Sequence, residues 1–235
     1  MKTRVHPWKI CPIGSYYVKA HHKTIGGKKH LWGAHCRNSK TMVHIFNHDE
    51  IEEISRKFFT SSLSLPKKYD FGVKNRGGNE YDILIAGWVA FWTELLNIES
   101  AITPDFVKVL IMSESSFRTE VKAKTHDNPG HAIGLTQITT NTLKLMHEGG
   151  KELRDTAFAI KTEHLQNPTV NICLGIRWLF RKREIAKAYY KAEPTHLQLA
   201  EEYKGIRNDK SIAAKNQRDK FEKLWKEYDQ FISTK

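Results

Sequence analysis

Glu114 is set apart from the other acidic residues of the chain by its surroundings. A helix opened by Thr103 would carry Val107, Leu110 and Ile111 on its buried face, and Glu114 follows three residues later on the same stripe. A carboxylate on a core-facing position is costly unless it is neutral, paired or set in the wall of a cleft. A carboxyl desolvated in such a place favours its protonated form, the state a general acid working near neutral pH needs. The alternative is a helix-terminal Glu that turns out to solvent or meets a base such as Arg118, and spacing alone leaves both readings open. Asp127 offers another carboxyl, but Asp127-Asn128-Pro129-Gly130 is turn chemistry and reads as structural. His6, Cys11, His21, His22, His30, His35 and Cys36 invite a zinc hypothesis. Their spacing matches no common finger, so the better reading is a hairpin with exposed histidines and no metal site.

The elements that must position these groups change character along the chain. The 235 residues suffice for one well-cored domain plus a smaller attachment, and 40% hydrophobic with 27% charged residues is ordinary for a globular protein. The net charge of +12 is not ordinary, and it favours anionic partners: nucleic acid, acidic lipid or the wall polymers of bacteria. No acid precedes Asp49, whereas lysines and arginines recur throughout that stretch. Alternating residues on either side of Gly26-Gly27 predict a β-hairpin in a small basic module over residues 1–60, with a short helix from Asp49 to Phe59. Tyr16, Tyr17 and Trp32 would give that hairpin either a binding face or its own small core. Residues 61–79, rich in Ser, Lys and Gly, read as a linker.

From residue 80 to 235 the pattern is helical. Asp82 is expected to cap an almost wholly apolar helix, Ile83 to Leu96. Thr103-Pro104-Asp105 and Asn167-Pro168 are helix starts, Gly205 is a stop, and the helix after Ser211 carries Phe221, Leu224, Trp225, Tyr228 and Ile232 on one stripe. Gly175 is expected to let a neighbouring helix approach closely. With about six helices and no alternating strand pattern past residue 80, the expectation is an all-α domain. Three widely spaced cysteines make no disulfide framework, though Cys11 and Cys36 could pair in an oxidising compartment. The N-terminus has no continuous apolar core of the Sec-signal kind. Ile83 to Leu96 is too short to span a bilayer.

Several short motifs then fall into order. Glu114-Ser115-Ser116-Phe117 is followed by Gly134-Leu135-Thr136-Gln137-Ile138, then by Asn167-Pro168-Thr169-Val170-Asn171-Ile172-Cys173-Leu174-Gly175 with Trp178-Leu179, and finally by Glu202-Tyr203-Lys204-Gly205. Over about residues 81 to 210 this resembles the soluble lytic transglycosylases, which share a lysozyme-like core with goose-type lysozymes. The resemblance implies an all-α lysozyme-like domain behind the basic module. Glu114 would be the single catalytic acid/base, cutting the β-1,4 bond between N-acetylmuramic acid and N-acetylglucosamine of peptidoglycan and closing a 1,6-anhydro ring. A muramidase would use water instead.

The resemblance also implies that Tyr203 contacts Glu114 through its hydroxyl, and that Ser115, Phe117, Gly134, Leu135, Thr136, Gln137 and Asn171 shape the sugar site. There are two departures. Thr136 stands where the family has methionine, and Glu-Tyr-Lys-Gly replaces Ala-Tyr-Asn-Ala-Gly. No cofactor is implied. The expected partners are glycan strands, with a secretion apparatus or an immunity protein if the enzyme is an exported antibacterial effector. Action in the periplasm or wall after non-Sec export, or delivery by a phage or a conjugation machine, would follow. A basic nucleic-acid-binding protein is the rival from another class, but it leaves the ordered motifs without a purpose.

Overall fold

The structure, a computed structural model, describes residues 11, 12, 14–38, 43–72, 78–98, 102–124, 130–147, 152, 153 and 156–234. His6 and Asp127 lie outside the described residues. The chain opens with an antiparallel ribbon in two sections: β1 (Ser15–Val18) pairs with β4 (His35–Asn38), and β2 (His21–Ile25) pairs with β3 (Lys28–Trp32). Gly26 and Gly27 form its two-residue turn at φ 56° and 78°, the left-handed pair that matches the twist of a tight hairpin. A Cys11–Cys36 disulfide ties β4 to the segment before β1, which removes both thiols from any zinc set.

After the ribbon come β5 (His44–Asn47), α1 (His48–Phe58), α2 (Asp82–Leu96) and α3 (Pro104–Ser115). Then follow β6 (Lys122–Lys124), β7 (His131–Ile133), β8 (Ile138–Thr139), α4 (Thr140–His147), β9 (Thr156–Ala159), α5 (Pro168–Tyr190), α6 (His196–Lys204) and α7 (Ile212–Ser233). The part beyond residue 80 is mainly helical, but the expectation of no strands there is corrected. β6, β7 and β8 form a small antiparallel sheet, and β9 pairs in parallel with β5. Strands of two to four residues are too short to show an alternation that a sequence pattern can register.

The helix ends follow their capping residues. Thr103 Oγ1 accepts the Phe106 N–H at 3.1 Å, and Asn167 Oδ1 accepts from Thr169 and Val170. Thr195 and Gln198 make a capping box, Ser211 caps α7, and Gly205 closes α6 at φ 71°. Asp82 is a correction, because its carboxylate caps nothing. It is buried and lies 2.8 Å from Lys108 Nζ, which also donates to Asn79 Oδ1 and Lys67 O. Burial pushes the Asp82 carboxyl up and the Lys108 ammonium down from their ordinary values, and the pairing opposes both shifts.

The core gathers around α2, whose Ile85, Trp88, Phe91 and Trp92 are buried. Trp88 Nε1 donates to Thr169 Oγ1 at 2.9 Å and Trp92 Nε1 to Cys173 O at 3.0 Å, which fixes α2 along α5. Phe46 of β5 and Ile51 and Ile54 of α1 join the same core, with the Phe46 ring 5.4 Å from Trp92 and 5.7 Å from Phe158. Residues 67–71 lie against α3 and α7. Tyr69 packs on Tyr228, whose hydroxyl reaches Lys67 O and Asp105.

Candidate active site

A cleft of about 800 Å³ opens between the end of α3, the β6–β8 sheet, the end of α6 and the start of α7. Glu114 reaches it from the last turn of α3. The two residues that close this helix, Ser116 and Phe117, both hold positive φ (52° and 58°) and turn the chain sharply away. Such backbone is costly for side chains with a Cβ and persists only where its surroundings impose it. Phe117 supplies that constraint: it is buried, with its ring 5.8 Å from Phe71 and 6.3 Å from Tyr81.

The Glu114 carboxylate is 14% exposed, and Lys204 Nζ donates to its Oε1 at 2.5 Å. The partner is thus neither solvent nor Arg118, whose Nε donates to Ser115 O at 3.2 Å. A second ammonium lies close by. Lys220 of α7 donates to Ser113 O at 2.6 Å, and burial together with Lys204 and Arg118 lowers its proton affinity. Asp209 is another cleft carboxylate, and the Ser211 N–H donates to its Oδ1 at 2.8 Å. That bond holds the Asp209 carboxyl below its ordinary value, so it stays ionised and belongs to the turn leading into α7. Arg218 braces the same turn by donating to Ile206 O and Asp209 O.

The residues expected at the site divide into two groups. Glu114, Gln137 and Tyr203 line the cleft, whereas Ser115, Phe117, Gly134, Leu135, Thr136 and Asn171 build the wall behind it. Gly134, at φ 77°, and Gln137, at φ 51°, bound the turn between β7 and β8. Gln137 Nε2 closes that turn on Gly134 O at 2.8 Å, while Leu135 is buried in the core. Thr136 N and Oγ1 both donate to Asn171 Oδ1 at 2.7 Å. Asn171 Nδ2 in turn donates to Ile133 O and Leu165 O, each at 2.9 Å. A Cβ on Gly134 would fall 2.3 Å from that Nδ2, so only glycine lets the turn and Asn171 meet.

Gly175 has a similar function, which corrects the earlier expectation. The group that approaches it is Thr136, 2.4 Å from where a Cβ would stand, and not a helix. Ser115 turns its hydroxyl back to Ile111 O within α3. Tyr203 is also corrected: its hydroxyl donates to Thr136 O at 2.8 Å and not to Glu114. Burial and the nearby Glu114 carboxylate push the phenol far up, so Tyr203 acts as a fixed neutral donor.

Lys204 is the cleft group beside Glu114 that sequence reasoning did not place. Its signal was the substitution of Lys for Asn directly after the motif tyrosine. Among the described residues, His48, Asp49 and Glu52 bring three ligand-type atoms within 4.8 Å of one another. They are already engaged, His48 with Glu52 at 3.2 Å, Asn167 with Glu52 at 2.7 Å and Lys19 with Asp49 at 3.5 Å.

A cleft with one carboxyl at a helix end and an ammonium at hydrogen-bond distance can give and take a proton at a sugar oxygen. A family model described as the transglycosylase SLT domain matches residues 97–225, or 129 of the 235 residues, from the turn before α3 into α7. The chain belongs to the transglycosylase SLT family. Its members are lytic transglycosylases, glycosidic-bond lyases acting on peptidoglycan, and that is the substrate class of this enzyme. Comparison with the curated proteins and with the solved structures found no match. Among the described residues, no helix of this transglycosylase is long and apolar enough to cross a membrane.

Proposed function

We propose that Glu114 is the single acid/base of this transglycosylase and that the product carries a 1,6-anhydromuramoyl end. The observation supporting this reading is the contrast between the two cleft carboxylates. Asp209 is held ionised by its own turn, while Glu114 stands beside an exchangeable proton. In the first step the Glu114 carboxyl gives its proton to the glycosidic oxygen as the C1–O bond breaks, and the 2-acetamido oxygen of the sugar stabilises C1. Substrate assistance of this kind replaces a second carboxylate. In the second step the 6-hydroxyl attacks C1 and its proton returns to Glu114, so no water is consumed. Lys204 Nζ, 2.5 Å from Oε1, orients the carboxyl and offsets the negative charge left on it between the two steps.

The enzyme acts outside the reducing cytoplasm, in the periplasm or wall. The Cys11–Cys36 disulfide supports that placement. Delivery as an effector countered by an immunity protein, or as part of a phage or conjugation apparatus, would place it there. The test is to digest purified sacculi and identify the soluble fragments by mass spectrometry. Anhydromuropeptides are the expected product, and reducing muramic ends in their place would make the enzyme a hydrolase.

A further inference from the structure

The β2–β3 section of the ribbon plays no part in the catalytic account. Both of its faces are exposed along its whole length, so packing does not explain its side chains. Between residues 14 and 38 the charges are Lys19, Lys23, Lys28, Lys29 and Arg37, with no carboxylate. Apolar groups stand among them in water: Leu31 is 68% exposed, Ile25 49% and Trp32 43%. The cross-strand register places Ile25 and Trp32 on one face with Lys23 and Lys28, and Leu31 on the other with Lys29. Lys23 Nζ lies 5.0 Å above the Trp32 ring, so cation and aromatic form one surface.

We propose that this ribbon is a peripheral membrane anchor that enters the headgroup layer of an anionic phospholipid bilayer. Lysine ammonium groups match the lipid phosphates, Trp32 suits the interface, and Leu31 and Ile25 gain by leaving water beneath it. The exposed aliphatic groups decide between anionic partners, because a soluble polyphosphate or a sugar polymer offers them nothing to bury against. Apolar groups on both faces suit immersion, since a protein or glycan partner would cover only one. The free backbone edges of a two-stranded ribbon keep it in the hydrated headgroup region and out of the hydrocarbon. The disulfide closes the end of the ribbon opposite Gly26-Gly27, and Asn47 Nδ2 donates to Tyr17 O at 2.6 Å, joining that end to β5.

The test is co-sedimentation of the oxidised full-length protein with vesicles of phosphatidylcholine alone or mixed with phosphatidylglycerol. Binding is expected to the anionic vesicles only, to weaken with salt, and to fall roughly fivefold in partition coefficient for each lysine removed among Lys23→Gln, Lys28→Gln and Lys29→Gln. Leu31→Ser and Ile25→Ser are expected to weaken it as well. All five variants should digest soluble peptidoglycan fragments at the wild-type rate, which shows that they are folded. Failure to bind phosphatidylglycerol vesicles overturns the proposal. So does vesicle binding that Leu31→Ser and Ile25→Ser leave unchanged, because the ribbon would then be a simple polyanion binder.

Discussion

In the proposed mechanism Glu114 meets its substrate paired with Lys204, whose ammonium orients the carboxyl and offsets its charge between the two steps. Lys204→Met removes the charge and the contact, and kcat is expected to fall roughly tenfold to a hundredfold with little change in KM. Lys204→Arg keeps the charge. Steady-state kinetics on soluble glycan fragments should therefore show partial rescue by arginine. A Lys204→Met rate near wild type would mean that the pairing plays no part in the reaction. Glu114 was legible in the sequence because an acid breaks an apolar stripe. Lys204 was not, because its partner lies ninety positions away and no local pattern links the two.

Asn171 shows how much of the site is held by one element, α5. Its side-chain amide gathers the β7–β8 turn by accepting from Thr136 and donating to Ile133 O and Leu165 O, all in the buried interior. Asn171→Leu fills a similar volume but strands those three backbone groups, each worth about 1–3 kcal/mol when buried and unpaired. Urea unfolding is expected to show a loss of about 3 kcal/mol or more, with activity falling as Thr136 O and the Tyr203 hydroxyl lose their register. Helix starts such as Thr103, Asn167 and Ser211 were readable because a cap depends only on neighbours in sequence. The cap expected of Asp82 and the neighbour expected at Gly175 were misread, because Lys108 and Thr136 reach them through tertiary contacts. The short strands β6 to β9 escaped for the same reason: what stabilises each is a partner strand and not its own alternation.

Across the whole molecule, the segment ahead of α2 is packed into the catalytic core. Phe46 is 1% exposed among Phe91, Trp92 and Phe158, and β5 is hydrogen-bonded to β9 beyond α4. Phe46→Ala is expected to cost about 3–5 kcal/mol in urea unfolding, the range for a buried aromatic. A loss near zero would mean that β5 and α1 are an appendage. Acid should also weaken the fold through His196, which stacks between Phe106 and Trp225. Burial lowers its proton affinity below the ordinary 6.5, with Asp229 opposing in part. The unfolded chain then binds the proton more readily, so this contribution is complete above 6.5 and is lost as the pH falls through the lowered folded value. Between about pH 7 and about pH 5, the decline in Tm should be shallower in His196→Gln than in the wild type.

In the proposed mechanism Glu114 is the one carboxyl that moves the proton. Release of soluble fragments from sacculi by wild type, Glu114→Gln and Asp209→Asn tests it directly. The expected result is a loss of roughly a hundredfold or more for Glu114→Gln, with Asp209→Asn keeping most of the rate. Near-wild-type release by Glu114→Gln, or its abolition by Asp209→Asn alone, would contradict it.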